Sequence, residues 1–266
     1  MTTNLQTYIF GTRIDNLSKN EILSEMRVFL SNKKLQHVTT LNPEILLKAH
    51  KDKNFRAVLN KAELNVADGI GIKFAFWRYG EHLKARYSGI DLMWDILDIS
   101  NEQNLGIYLI ANEDGLSTWQ ETRKAIQKKY PDLKINGIDV CCHPELDSGS
   151  NATKNNYTIE ILNQIQDDIC QNDILFVNLG APHQELLINR LRNSKSTSLR
   201  LGIGVGGSFD YITGKVPRAP KIMRYIGFEW LYRLFKQPNR FKRIMDAVIV
   251  FPIVVLFTSE DGQVPK

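Results

Sequence analysis

The continuous apolar run Leu105 to Ala111 (LGIYLIA) constrains this chain more than anything else in it, and a second strand-like run follows at Asp173 to Gly180 (DILFVNLG). A strand wetted on one face alternates apolar with polar residues, whereas a run with no polar face suits a strand covered on both sides of a parallel sheet. Both runs lie between stretches with helical spacing. Thr7 to Arg13 reads as a strand or strand pair, and Ser18 with Glu21 forms a capping box before a helix with apolar positions Ile22, Met26, Phe29 and Leu30. Gln36 to Leu41 is a strand that runs into a helix start, where Asn42 caps and Pro43 takes the first position at no cost in hydrogen bonds. Leu64 to Ala67, Leu133 to Val140 and the start of LGIGVGG at Leu201 are further strands. Helices are predicted over Asn54 to Lys61, Ile70 to Tyr79, Gly89 to Asn101, Leu116 to Tyr130, Tyr157 to Cys170 and the stretch ending at Arg192.

Strands and helices alternating in this way predict an α/β fold. The expected architecture is an open, mostly parallel Rossmann-like sheet with helices on both faces, plus a C-terminal basic helical appendage. Domain boundaries are placed at 1–215 for the core and 216–266 for the appendage, with the polar stretch 141–155 read as a loop insertion. Trp77 and Trp94, set among apolar neighbours, are assigned to the core. With 43% hydrophobic and 24% charged residues in 266, the chain has ample material for a large core. Three cysteines without a CxxC pair fit a reduced compartment, and Cys141-Cys142-His143 reads as a polar loop with incidental thiols. MTTNLQTYIF lacks the pattern of a signal peptide, so a cytoplasmic location is expected.

In open α/β sheets ligands bind beyond the carboxyl ends of the strands. Thr40, Asn42, Asp68, the segment Gly180 to Gln184 with Pro182 and His183, and the segment Gly206, Gly207, Ser208 to Asp210 all fall at such ends. Asp68, in front of Gly69, is a carboxylate presented to a cleft, although Asp-Gly is also an ordinary turn. The first strand–helix unit has no GxGxxG and the chain has no GxxxxGK[ST], which removes the standard dinucleotide and P-loop readings.

The end of the chain differs in composition. From Lys215 to Arg243 nine lysines and arginines face the single Glu229, a net of about +8, so the overall +5 leaves the remainder mildly acidic. Ile222, Ile226, Trp230 and Leu234 recur every four residues and predict one apolar helical stripe. Basic residues beside Trp230, Tyr232 and Phe235 suit a helix lying on an anionic membrane surface. A helix pair with solvated charges and a nucleic-acid surface are the competing readings; the aromatics and the aliphatic run Ala247 to Phe257 favour the membrane over nucleic acid. That run, interrupted by Pro252, is shorter than the roughly 20 residues a spanning helix needs.

TLNPE (40–44), ADGIGI (67–72), GIDL (89–92), GAPHQE (180–185), GVGGSFDYITGKVPRAP (204–220), GFEWLYRL (227–234) and PNR (238–240) together resemble the signatures of the WecG/TagA/CpsF glycosyltransferases of bacterial surface-polymer synthesis, in order and over nearly the whole chain. The resemblance implies a metal-independent, inverting transfer, without a cofactor, from a UDP-sugar to a polyprenyl-diphosphate-linked acceptor. In the best-known members the sugar is N-acetylmannosamine or its uronic acid and the acceptor ends in N-acetylglucosamine. Carried over by position, Asp68 becomes the general base, Thr40 and Asn42 lie near the reacting sugars, and Gln184 shares their pocket. Arg218, Arg233 and Arg240 would hold diphosphate charge. The site would sit on the inner face of the cytoplasmic membrane, with a homo-oligomer left open.

Two departures accompany the resemblance. His183 stands where relatives often carry a cation, and CCHPELDSGSNATKNN (141–156) does not resemble the family. The rival function on the same fold is a catalytically inactive nucleotide-sugar-binding or scaffolding protein, and a nicotinamide-dependent oxidoreductase lacks its fingerprint.

Overall fold

The computed structural model describes residues 5–141, 161, 165, 168–169, 171–193, 197–236 and 240–258. The chain opens with an antiparallel hairpin, β1 (Gln6–Ile9) and β2 (Thr12–Asp15). Its turn residues Phe10 and Gly11 have φ of 53° and 73°, the left-handed pair that a two-residue hairpin turn of the right twist demands. Six parallel strands follow: β3 (Gln36–Leu41), β4 (Leu64–Ala67), β5 (Ile107–Asn112), β6 (Ile135–Val140), β7 (Ile174–Asn178) and β8 (Leu201–Gly204). Their spatial order is β4-β3-β8-β7-β5-β6, with helices flanking the sheet. The predicted α/β class is therefore what forms. β5 pairs with both β6 and β7, so Ile107 stands beside Ile135 on one side and Ile174 on the other. β5 and β7 are buried along nearly their whole length, which is why those two segments tolerate no polar face.

Ser18 and Glu21 form the expected reciprocal cap ahead of α1 (Lys19–Ser31): the Ser18 N–H donates to Glu21 at 2.7 Å and the Glu21 N–H to the Ser18 hydroxyl at 3.3 Å. Those contacts hold the Glu21 carboxyl down at about 2. Next come α2 (Pro43–Lys51), α3 (Lys53–Lys61), α4 (Ile70–Arg78), α5 (Gly89–Gln103), α6 (Trp119–Gln127), α7 (His183–Asn193) and α8 (Ser208–Ile212).

The chain divides into two compact units. One comprises Met1–Ile22, Thr40–Ser88 and Val216–Lys266; the other comprises Leu23–Thr39 and Gly89–Lys215. In the second unit Tyr108, Ile110, Leu175, Val177, Leu187 and Ile188 belong to one buried cluster. In the first, the tail forms α9 (Lys221–Ile226), α10 (Glu229–Lys236), α11 (Phe241–Met245), a π-helical turn Asp246–Val250 and α12 (Phe251–Phe257).

The tail departs from its periodicity. Gly227, with φ of 88°, ends α9 in a left-handed cap, and the Phe228 N–H closes back on Met223 at 2.8 Å. The four-residue stripe is therefore cut in two, leaving Ile222 and Ile226 exposed at 75% and 52%. Pro252 does not interrupt the last helix: it occupies the first turn of α12, where the preceding π-helical turn keeps the backbone helical. α12 packs on α4 and α2, and Phe251, fully buried, meets the Phe10 ring edge-on at 5.6 Å. Full burial of such a side chain stabilises by about 1.5–3 kcal/mol. A third correction concerns Trp77, which is 71% exposed rather than in the core, because it stands on the outer side of α4, while Trp94 is half-buried. Among the described residues no helix is long and apolar enough to cross a membrane. The loop reading for 141–155, apart from Cys141, lies outside the described residues, as do most of Tyr157 to Cys170 and Pro238-Asn239.

Candidate functional site

In the first unit the carboxyl ends of β3 and β4 bring Thr40, Asn42 and Asp68 together. The Asp68 N–H donates to the Leu41 carbonyl at 2.7 Å, and Leu41 is flanked by the other two candidates. Asn42 accepts from the Ile45 N–H at 3.0 Å, with Pro43 at the first helical position, as the cap pattern requires. Thr40 is buried, whereas Asn42 and Asp68 are half-buried. Gly69 has φ of 95°, a conformation that lets the chain leave the strand and enter α4 at once. Gly71 admits α4 against α2: a Cβ there would lie 2.5 Å from Pro43 Cγ and 3.4 Å from the Phe251 ring. β4 is tied to the hairpin through Asp15, whose carboxylate accepts the Asn65 N–H at 2.7 Å and pairs with Arg13 at 3.2 Å. Burial pushes the Asp15 carboxyl up, and those two partners oppose the shift.

The tail reaches the same strand end. The Tyr87 N–H donates to the Ala67 carbonyl at 2.9 Å, which lays residues 86–88 beside Asp68. Ser88 then accepts from the Arg218 guanidinium at 3.2 Å, and Arg86 donates to the Arg224 carbonyl at 2.9 Å. Arg218 is thus brought near Asp68 through one short relay of bonds, and Arg86 joins it, a cation not singled out in the sequence. Arg233 is paired along its own helix with Glu229 at 2.6 Å, and half-buried Arg240 precedes α11.

In the second unit the ends of β7 and β8 carry Gly180 to Gln184 and Gly206 to Asp210. β8 reads LGIG, and its two glycines let α7 lie close: a Cβ on Gly202 would come 2.8 Å from Ile188 Cγ2, and one on Gly204 2.5 Å from Gln184 Nε2. Ile188 and Gln184 are one helical turn apart, matching the two-residue spacing of the glycines. Gln184, 3% exposed, accepts the Gly206 N–H on Oε1 at 3.1 Å and donates from Nε2 to Glu185 at 2.7 Å. Gly206 has φ of 50° and Gly180 has φ of 73°. Gly207 precedes α8; the Ser208 hydroxyl donates to the Val205 carbonyl at 2.6 Å, and Asp210 is buried. Pro182 is buried and His183, half-buried, opens α7. On β3, His37 is fully buried; burial, aided by the Arg192 charge, pushes its imidazole down to about 3.

The sequence therefore pointed to each strand end, but not to Glu185 or Arg86. Glu185 looks like a first-turn acid favoured by the helix dipole, and Arg86 like one more solvated charge; only the α7–β8 closeness and the 86–88 bonds distinguish them. Among the described residues no group of three or more His, Cys, Asp or Glu side chains is arranged to hold a metal ion.

Comparison with known proteins adds named enzymes to this geometry. The chain is 31% identical over 208 residues, covering 78% of it and 74% of the relative, to the N-acetylglucosaminyldiphosphoundecaprenol N-acetyl-beta-D-mannosaminyltransferase of Bacillus subtilis (strain 168). It is 28% identical over 245 residues, 91% of this chain and 89% of the relative, to the enzyme of the same name from Staphylococcus aureus (strain MRSA252). A family profile described as glycosyl transferase WecG/TagA/CpsF matches residues 7–262. With that match running from the hairpin through both glycine-bearing strand ends and the tail, the chain belongs to the WecG/TagA/CpsF family and is a glycosyltransferase.

Proposed function

We propose that this glycosyltransferase moves N-acetylmannosamine, or a related N-acetylhexosamine or its uronic acid, from a UDP-sugar to N-acetylglucosamine on a polyprenyl diphosphate during cell-surface polysaccharide synthesis. The observation that carries the proposal is the junction of β3 and β4, where a half-buried carboxylate is pinned beside Thr40 and Asn42 by the Asp68–Leu41 bond. The names of the relatives support the acceptor and the sugar.

In the proposed step the acceptor hydroxyl oxygen attacks C1 of the donor sugar with inversion, the bond from C1 to the UDP oxygen breaks, and the hydroxyl proton passes to Asp68. A sugar hydroxyl is a weak nucleophile at neutral pH, so a carboxylate within hydrogen-bond reach accelerates its attack. The departing diphosphate charge falls to arginines in a metal-independent site; Arg218, Arg86, Arg233 and Arg240 are the candidates. His183, Gly180, Pro182 and the Gly206–Asp210 segment contribute the donor side.

The tail surface, with Tyr225 and Phe235 exposed at 87% and 77% among lysines and arginines, would rest on the anionic inner face of the cytoplasmic membrane, where the lipid-linked acceptor is found. The deciding assay incubates the protein with a panel of UDP-sugars and a polyprenyl-diphosphate-linked N-acetylglucosamine. Transfer from UDP-N-acetylmannosamine is expected; no transfer from any member, with UDP still bound, would favour the inactive nucleotide-sugar-binding alternative.

A further inference from the structure

Gln184 has both ends of its amide committed within the second unit. A backbone N–H can only donate, so the atom that meets Gly206 must be the amide oxygen, and the amide nitrogen is then directed at the Glu185 carboxylate, which accepts. Gly204 leaves the space in which this side chain lies flat across the strand, since a Cβ there would come 2.5 to 2.9 Å from three of its atoms. Gly206 has no heavy atom within 4 Å of where a Cβ would stand, so crowding does not set the turn. Its left-handed φ and the bond from its N–H remain to define it.

We propose that Glu185, fully buried and next to Gln184, is a positioning residue for the transfer reaction. It orients the Gln184 amide, and the amide oxygen then holds the Gly206 N–H and with it the turn leading into Ser208 and Asp210. Gln184 accordingly acts by positioning rather than by touching the reacting atoms. The catalytic part of the proposal rests on the assignment of the Gly206–Asp210 segment to the donor side.

Exchanging the two residue types tests this. In Glu185→Gln the partner keeps an acceptor oxygen but loses its charge and can equally present an NH2 donor, so it no longer fixes which end of the Gln184 amide faces Gly206, and in Gln184→Glu two carboxylates face each other. The double exchange Gln184→Glu with Glu185→Gln restores each donor and acceptor: one oxygen at 184 accepts the Gly206 N–H and the other accepts from the new amide at 185. The full-length protein is examined by amide hydrogen exchange at Gly206 and by steady-state transfer with UDP-N-acetylmannosamine varied. Each single variant is expected to exchange Gly206 about tenfold faster or more, the scale of one lost hydrogen bond to a held group, and the double variant to return towards the parent. kcat/KM for the donor should fall about tenfold in the singles and recover in the double, with KM for the acceptor unchanged.

A double variant no better than the worse single would overturn the positioning role and return Gln184 to direct contact with substrate. Unchanged exchange in the singles would overturn the orienting bond itself. Faster exchange with transfer intact would leave the bond standing and overturn the assignment of this turn to the donor. Should a single variant fail to fold, Glu185→Asp supplies the second comparison: it keeps the acceptor but withdraws it by one methylene, and an unaltered donor kcat/KM there, with Gly206 exchange accelerated, again overturns the catalytic part.

Discussion

The two sets of strand ends solve opposite problems with the same geometry. At β3 and β4 the two strand ends are joined by backbone: the Asp68 N–H donates to the Leu41 carbonyl, and the Asp68 side chain is half-buried at the strand end. At β7 and β8 two candidate side chains are spent on structure, the Gln184 amide being bound at both ends and the Ser208 hydroxyl donating to Val205, while the Gly206 turn brings backbone to the strand end. Substitutions at the first pair of ends should therefore act on chemistry, and those at the second on shape.

The largest effect is expected from Asp68→Asn. It keeps the volume and the backbone bond but removes the proton acceptor, so turnover should fall about 10²- to 10⁴-fold while UDP affinity, read by calorimetry, stays near that of the parent. Near-normal turnover would transfer the base role elsewhere, with His183 next in line.

Arg218→Ala sharpens the contrast from the tail side, since its bond to Ser88 ties it to the Asp68 end. On a short soluble acceptor analogue, where membrane recruitment has no part, kcat/KM should drop about 10- to 100-fold, the worth of a charge-assisted bond. An unchanged value would leave the arginine as a tail fastening only.

Gly204→Ala is the corresponding break at the second pair of ends. The added Cβ would press on the Gln184 amide at 2.5 Å, so the expected cost is about 1–3 kcal/mol of stability with a modest loss of transfer, checked by denaturant unfolding. A variant as stable as the parent would show that the side chain can move aside freely.

The smallest effect belongs to His37. Its folded value near 3 lies below the ordinary 6.5, so the folded protein resists protonation that the unfolded chain accepts. The contribution is complete above about pH 6.5 and is lost as pH falls from there towards 3. Unfolding midpoints at pH 7.5 and pH 5, compared between the parent and His37→Asn, should show a shallower decline in the variant; equal slopes would remove His37 from the acid sensitivity.

How legible these features were depended on whether their signal was local. The two-sided burial of β5, the existence of β7, the Ser18–Glu21 cap and the Asn42-Pro43 helix start follow from neighbouring residues, so they could be read directly. Asp68 was readable as a carboxylate at a strand end, but its union with Thr40 and Asn42 needed the long-range bond to Leu41. The tail stripe misled because a four-residue count treats Gly227 as one more helical position, whereas its left-handed backbone ends the helix. A truncation before Pro220, which composition presents as the removal of a separable anchor, would also take Phe251 and Val255 out of a buried contact with α2 and α4.

By itself the sequence determined the α/β class, the β5 strand wet on neither face, the helix caps and the set of strand ends at which candidate residues fall, because each is set by patterns within a few residues. Only the tertiary structure decided that the Gln184 amide donates to Glu185, that Gly204 makes room for it, that residues 86–88 carry Arg218 to the Asp68 end, and that the last helix is partly core. Each of these joins groups distant in the chain or depends on space left by an absent side chain, and neither quantity is written in local spacing.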